Sequence, residues 1–162
     1  MLQSTAIAQV YLEKLPILGA EGGAVLPLYK PGTAMHSYLE EKKIHLVEIY
    51  FSEIEAHAVK AWKRHRLQQG LFCVPRGLLR LVLYDTRPKS PTYGRVASFS
   101  LGRPDKYCVL TMPPMIWYGL ACEGETPALL CNCIDRPHDP KECETLPKDT
   151  DQIPYSFSNI SQ

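Results

Sequence analysis

Between residues 45 and 134 the chain is a succession of short apolar and β-branched runs, each closed by a turn signal, with no helical pattern between them. The spacing predicts strands over 45–51, 58–66, 71–74, 78–84, 95–101, 107–112, 116–121 and 127–134. The first of these alternates, with Val47, Ile49 and Phe51 on one face. Turns fall at Pro75-Arg76-Gly77, along Arg87 to Gly94, at Gly102-Arg103-Pro104-Asp105, at Pro113-Pro114 and at Glu123-Gly124-Glu125. Strands at such intervals indicate an all-β sandwich or barrel. The 14 prolines among 162 residues point the same way, because each proline inside a helix removes a hydrogen bond and clashes with the preceding turn.

The flanks read differently. Ala24 to Lys30 suits a strand, and Thr33 to Lys42 suits a short helix capped by Thr33. Arg136 to Asp151 carries three prolines and many charges, which predicts an irregular arm laid over the barrel. The length fits one domain, divided into N-terminal strands and a short helix (1–44), a barrel core (45–134) and a C-terminal arm (135–162).

Composition narrows the function classes. Eighteen Lys and Arg against 17 Asp and Glu leave a net charge of +1, which gives no bulk attraction to nucleic acid or to an anionic membrane. No run of about 18 apolar residues occurs. Met1 to Leu15 lacks a basic start, and Gln9, Glu13 and Lys14 interrupt it, so no secretory leader is expected. The six cysteines, at 73, 108, 122, 131, 133 and 143, form no C-x-x-C pair. They read as reduced thiols of a cytoplasmic protein.

Three segments could carry chemistry. In Lys60-Ala61-Trp62-Lys63-Arg64-His65-Arg66, strand alternation puts Lys63 and His65 on one face and Trp62, Arg64 and Arg66 on the other. Pointed into a barrel, Lys63 and His65 would each disfavour the other's charge, and burial would add to this, making Lys63 a usable base. The alternative is a solvated edge strand whose basic side chains deter aggregation. In Thr111-Met112-Pro113-Pro114-Met115-Ile116-Trp117-Tyr118-Gly119, Tyr118 could donate a proton and Trp117 could stack on a ring, or both could simply pack. In Leu83-Tyr84-Asp85-Thr86-Arg87, an acid and a base end a strand, which also suits a salt bridge in a turn. A metal is not expected: His65 has no histidine partner and no glutamate soon after it, and the later position near the Pro-Pro corner is Tyr118.

Taken together, Val59 to His65, Arg76-Gly77, Leu81 to Arg87, Ser90-Pro91-Thr92-Tyr93-Gly94 and Pro113-Pro114 followed by Trp117-Tyr118-Gly119 resemble the dTDP-4-dehydrorhamnose 3,5-epimerase family of cupins. The resemblance covers roughly residues 15 to 155. It implies a cupin-type β jelly roll, commonly dimeric, that binds a nucleotide-activated 4-keto-6-deoxy sugar and works without a cofactor. In such chemistry a base removes the proton next to the ketone, a cation steadies the enolate oxygen, and a tyrosine returns a proton to the other face.

The chain departs from the family pattern at positions that matter. The family's histidine aligns with Lys63, its tyrosine acid with Asn132, and a histidine near the proline corner with Tyr118. Lys60 stands where an arginine would meet the pyrophosphate, and an N-terminal Asp-x-Arg-Gly element appears as Ala20-Glu21-Gly22-Gly23. Since asparagine is no general acid, protonation of the second face would need Tyr118 or water. Lys63 and His65 also occupy positions where the similar 3,4-ketoisomerase cupins carry two histidines.

The expectation is a nucleotide-sugar epimerase with Lys63, His65 and Tyr118 as catalytic residues and Lys60, Arg80, Trp117 and Asn132 against the substrate. It would be a cytoplasmic homodimer with no metal, no nucleic-acid partner and no membrane partner. Ketoisomerisation and non-catalytic binding of a sugar nucleotide are the alternatives.

Overall fold

The computed structural model describes residues 1–158, so residues 159–162 of the expected C-terminal arm lie outside the described residues. In chain order the elements are β1 (Leu2–Ser4), β2 (Tyr11–Lys14), β3 (Leu18–Ala20), β4 (Gly23–Val25), α1 (Ala34–Glu41), β5 (Glu48–Ile54), β6 (Val59–His65) and β7 (Gly70–Arg76). They continue with β8 (Leu78–Asp85), β9 (Val96–Gly102), β10 (Cys108–Met112), β11 (Ile116–Cys122), β12 (Ala128–Ile134) and β13 (Cys143–Thr145). A 3-10 turn at Pro140–Glu142 leads into β13.

Two antiparallel sheets carry the fold. One has the order β1-β2-β10-β7-β12-β5 and the other β13-β6-β11-β8-β9, while β3 and β4 form a separate hairpin. The shortest crossing from one sheet to the other is a single residue, Gly77, which links β7 to β8. Gly77 has φ of 78°, and a Cβ there would lie 2.7 Å from the Ala128 backbone. Both the positive φ and the close approach require glycine.

Three apolar clusters explain the near-continuous burial of the central strands. Between the sheets lie Leu79, Leu81, Leu83, Leu110, Ile116 and their neighbours. The outer side of the six-stranded sheet holds Leu71, Cys73, Val109, Cys131 and Cys133 under Met35 and Leu39 of α1. The outer side of the five-stranded sheet holds Val82, Trp62, Trp117 and Ala121 under Ile153 and Phe157 of the C-terminal arm. Strands covered on both faces are apolar throughout rather than alternating, and all seven residues of β11 are buried.

The helix forms where the sequence places it. Thr33 Oγ1 accepts from His36 N at 3.2 Å, and the Glu13 carboxylate accepts from Ala34 N at 3.0 Å and Met35 N at 2.7 Å. A side chain from β2 thereby satisfies amides that a helix start leaves open.

Three flanking expectations change. The strand expected over 24–30 stops at Val25, the end of β4, and residues 26–30 carry no regular element. The N-terminal third holds three short strands before Gly23 that local pattern did not reveal. They are three or four residues long and depend on pairing: β2 lies against β1 and β10. The arm is not wholly irregular either. Cys143, Glu144 and Thr145 pair with His65, Arg64 and Lys63, adding β13 to the free edge of β6. No helix among the described residues is long and apolar enough to cross a membrane.

Candidate active site

The inner faces of β5, β6, β11 and β12 line an open-mouthed hollow of about 590 Å³, a volume ordinary for a small-molecule site. The five-stranded sheet contributes Lys60, Lys63, Tyr118 and Leu120 to its wall; the six-stranded sheet contributes Glu48, Tyr50, Ser52, Leu130 and Asn132. His138 and Thr145 of the C-terminal arm complete it.

Alternation along β6 aims its side chains as the sequence predicts. Lys63 lies in the hollow wall and His65 is buried on the same inner face, while Trp62 packs outward in the arm-covered cluster. Arg64 also faces out, over the Trp117 ring at 4.6 Å, with its Nε donating to Glu144 at 2.7 Å. The pairing of β11 with β6 shifts register between Tyr118 and Leu120, opposite Lys63 and Lys60. That bulge brings Lys60 into the same wall as Lys63, although an odd spacing of three positions would put them on opposite faces of a regular strand.

His65 does not itself line the hollow. It sits one side chain behind Tyr118, in a chain of polar groups. Its Nδ1 lies 2.6 Å from Glu142 Oε1, and its Nε2 lies 3.5 Å from the Tyr118 hydroxyl. The two rings are nearly parallel, with centroids 6.2 Å apart. Burial pulls the imidazole pKa below its ordinary value, against the opposing pull of Glu142. Burial would raise Glu142, but the Leu67 amide and His65 outweigh it and hold the carboxyl below its usual range. The resulting state is an ionised carboxylate receiving Nδ1–H from a neutral imidazole, whose Nε2 lone pair faces the phenol. Burial raises the Tyr118 pKa far above its usual value, so the phenol keeps its proton.

Asn132 is 4% exposed and sits in the wall, and its Nδ2 has no hydrogen-bond partner among the described residues. A buried amide donor left open is costly, and it faces the space where a ligand oxygen could accept from it.

Two expected substrate contacts lie elsewhere. Trp117 is on the outer face of β11, against Trp62 and Phe157, because alternation sends 117 and 118 to opposite sides. Arg80 is also turned outward, bonded to Glu123. The Ala20–Gly23 segment is the tip of the β3–β4 hairpin, outside the wall. Asp85 and Arg87 form the turn salt bridge, at 2.7 Å, with the Ser90 and Thr92 hydroxyls donating to the same carboxylate at 2.6 and 2.7 Å.

Sequence reasoning did not single out Glu142, Tyr50, Glu48 or His138. Glu142 belongs to a charged, proline-bearing arm and meets His65 only because β13 pairs with β6. Tyr50 left a signal: it alternates with Glu48 and Ser52, opposite to Val47, Ile49 and Phe51. The latter three are 57–59% exposed, so the polar set of β5 is the inward one. Among the described residues, no group of three or more His, Cys, Asp or Glu side chains is placed to hold a metal ion.

No protein-family model matches this chain. A dTDP sugar isomerase from Desulfovibrio desulfuricans G20 shares 45% identity with it, covering 98% of this chain and 95% of the other, with a TM-score of 0.87. The "Probable low-salt glycan biosynthesis epimerase Agl13" of Haloferax volcanii is 34% identical over 107 residues, a stretch that is 65% of this chain and 65% of that protein. The dTDP-4-dehydrorhamnose 3,5-epimerase of Elizabethkingia anophelis has the same fold, with a TM-score of 0.78 at 15% identity over 98% of this chain and 86% of its own. The jelly roll, the ordered motifs along it and the near full-length identity to a dTDP sugar isomerase together make this chain a member of the dTDP-4-dehydrorhamnose 3,5-epimerase-like family of sugar-nucleotide cupins.

Proposed function

We propose that the chain is a nucleotide-sugar epimerase acting on a dTDP- or other nucleoside diphosphate-linked 4-keto-6-deoxyhexose, in deoxysugar and polysaccharide biosynthesis. The observation that carries this is the Glu142–His65–Tyr118 chain ending at the wall of the hollow. A ketone makes the neighbouring C–H acidic enough for a side-chain base. Tyr118 takes that proton as its own hydroxyl proton passes to His65 Nε2, so the phenol never has to ionise. Glu142 then stabilises the imidazolium, the division of labour seen in hydroxyl–imidazole–carboxylate triads. The 3.5 Å contact is long, and such bonds tighten to about 2.6–3.2 Å as a substrate settles. Lys63, expected as a base beside His65, serves in this arrangement as the cation that steadies the enolate oxygen. Lys60, at the rim, meets the diphosphate, and Asn132 donates to a sugar oxygen.

The test is incubation in heavy water with dTDP-4-keto-6-deoxy-D-glucose, followed by proton NMR. Deuterium wash-in next to the ketone, with changed ring coupling constants, is the expected result. Saturable binding without wash-in overturns the enzymatic assignment in favour of a non-catalytic binder. A second activity, 3,4-ketoisomerisation, is favoured by one observation: Lys63 and His65 share the inner face of β6 beside Tyr118. A 3-keto product identifies it.

Two further properties belong to the same proposal. A homodimer is supported by the exposed apolar row Val47, Ile49 and Phe51 beside the outer edge of β5, which no strand among the described residues pairs with, a surface that a lone sheet seldom leaves open. A cytoplasmic location is supported by six cysteines, none of them in a disulfide.

A further inference from the structure

Inversion at carbon requires a proton to leave one face of the ring and another to arrive at the opposite face. Tyr118, His65 and Lys63 all stand on the five-stranded sheet, so they serve one face. The facing wall is built by β5 and β12. At the β12 position where the family resemblance looks for a tyrosine stands Asn132, whose amide is no proton donor for carbon. Its direct cross-strand partner on β5 is Tyr50, and Tyr50 is in the wall of the hollow.

We propose that Tyr50 returns the proton to the face of the sugar turned away from Tyr118, so that the acid missing from β12 is supplied one strand over, from β5. This rests on the epimerase activity proposed above. The other groups on the facing side are worse donors. The Glu48 carboxylate is engaged in accepting the His138 amide at 2.8 Å. His138 itself is exposed on the arm, its ring edge-on to Tyr50 at 6.3 Å. Ser52 offers only an alcohol. Tyr50 is half-buried, and burial together with the Glu48 carboxylate raises its pKa, so the phenol is protonated at neutral pH.

The step balances as follows. The C–H bond next to the ketone breaks, its proton goes to Tyr118 oxygen as the Tyr118 proton moves to His65, and the electron pair becomes the enolate. The Tyr50 O–H bond then breaks, a new C–H bond forms on the other face, and the ketone is restored. Tyr50 is left as phenolate and His65 as imidazolium. Water carries one proton from the second to the first.

The experiment is Tyr50→Phe, assayed in heavy water with dTDP-4-keto-6-deoxy-D-glucose by proton NMR, with dTDP affinity measured by calorimetry. Phenylalanine keeps the ring and removes only the donor. The expected result is inversion slowed about 100-fold or more, with deuterium wash-in at the same carbon still measurable and dTDP bound. The ratio of wash-in to inversion therefore rises steeply. Inversion within tenfold of the unaltered protein overturns the proposal. Joint loss of wash-in and dTDP affinity overturns it too, because a donor to the second face takes part in neither. If the unaltered protein shows no wash-in at all, the epimerase assignment itself falls, which is a distinct outcome.

Discussion

The His65 imidazole and the Glu142 carboxylate, 77 positions apart in sequence, meet at 2.6 Å with both side chains more than nine-tenths buried. The pair gives the first prediction. Burial keeps the His65 pKa below its ordinary value of 6.5, and the neutral imidazole is the form that accepts a proton. The acid limb of the kcat/KM profile is therefore expected below pH 6.5. Glu142 is the group that pulls His65 upward, so Glu142→Gln moves the limb to still lower pH. It also removes the acceptor that fixes the tautomer, and turnover falls by about 100-fold or more. A pH–rate profile of both proteins checks this; a limb above 6.5 contradicts it.

A second prediction concerns stability. Asp85 is fully buried and bonded to Arg87, Ser90 and Thr92. Burial would raise its carboxyl pKa, but those donors overcome it and hold it far below 3.8. The unfolded chain binds the proton more readily, so this contribution is present above about pH 4 and is lost as acid titrates the folded carboxyl. Asp85→Asn leaves Arg87 partly buried without its anion, at a cost of about 3 kcal/mol. Urea unfolding at pH 7 measures it. At pH 3 the difference between the two proteins shrinks.

How much of this was legible in the sequence depends on the range of the forces involved. Strands β6 to β12 were readable because apolar runs and proline or glycine turns are local signals. The inward aim of Lys63 was readable from alternation, whereas Lys60 reached the wall through a bulge set by pairing with β11. Strands β1, β2 and β13 were invisible because three or four residues carry no period. Glu142 was hidden for the same reason: its contact exists only once β13 closes on β6. Arg80 and Trp117 were misplaced because a buried strand is apolar on both faces, and the pattern cannot tell which face meets the hollow and which meets the arm.

The arm can be tested through Gly119. A Cβ there would lie 2.7 Å from Phe157 Cζ and 2.9 Å from Ala61 Cβ. Phe157 can swing away, but Ala61 belongs to β6 and cannot. Gly119→Ala is expected to cost about 1–3 kcal/mol and to loosen the arm over Trp62. A lowered thermal midpoint, with faster proteolysis after Lys148, reports both effects. An unchanged midpoint shows that Phe157 does not close the outer face.

The two lysines of the wall should separate in kinetics. Lys60 is exposed at the rim, where its Nζ donates to the Glu53 carbonyl at 2.5 Å. Lys63 is half-buried, cross-strand from Tyr118. A diphosphate carries the same charge in the ground state and the transition state, so a lysine that binds it contributes uniformly. Lys60→Ala is then expected to raise KM about tenfold, equivalent to about 1.4 kcal/mol, with kcat little altered. An enolate oxygen acquires its charge only as the proton leaves. A lysine that steadies it acts on the transition state, and Lys63→Met is expected to lower kcat about 100-fold with a smaller change in KM. If Lys63→Met raises KM alone, the cation at 63 binds the nucleotide instead, and the enolate must be steadied by another group such as the Asn132 amide.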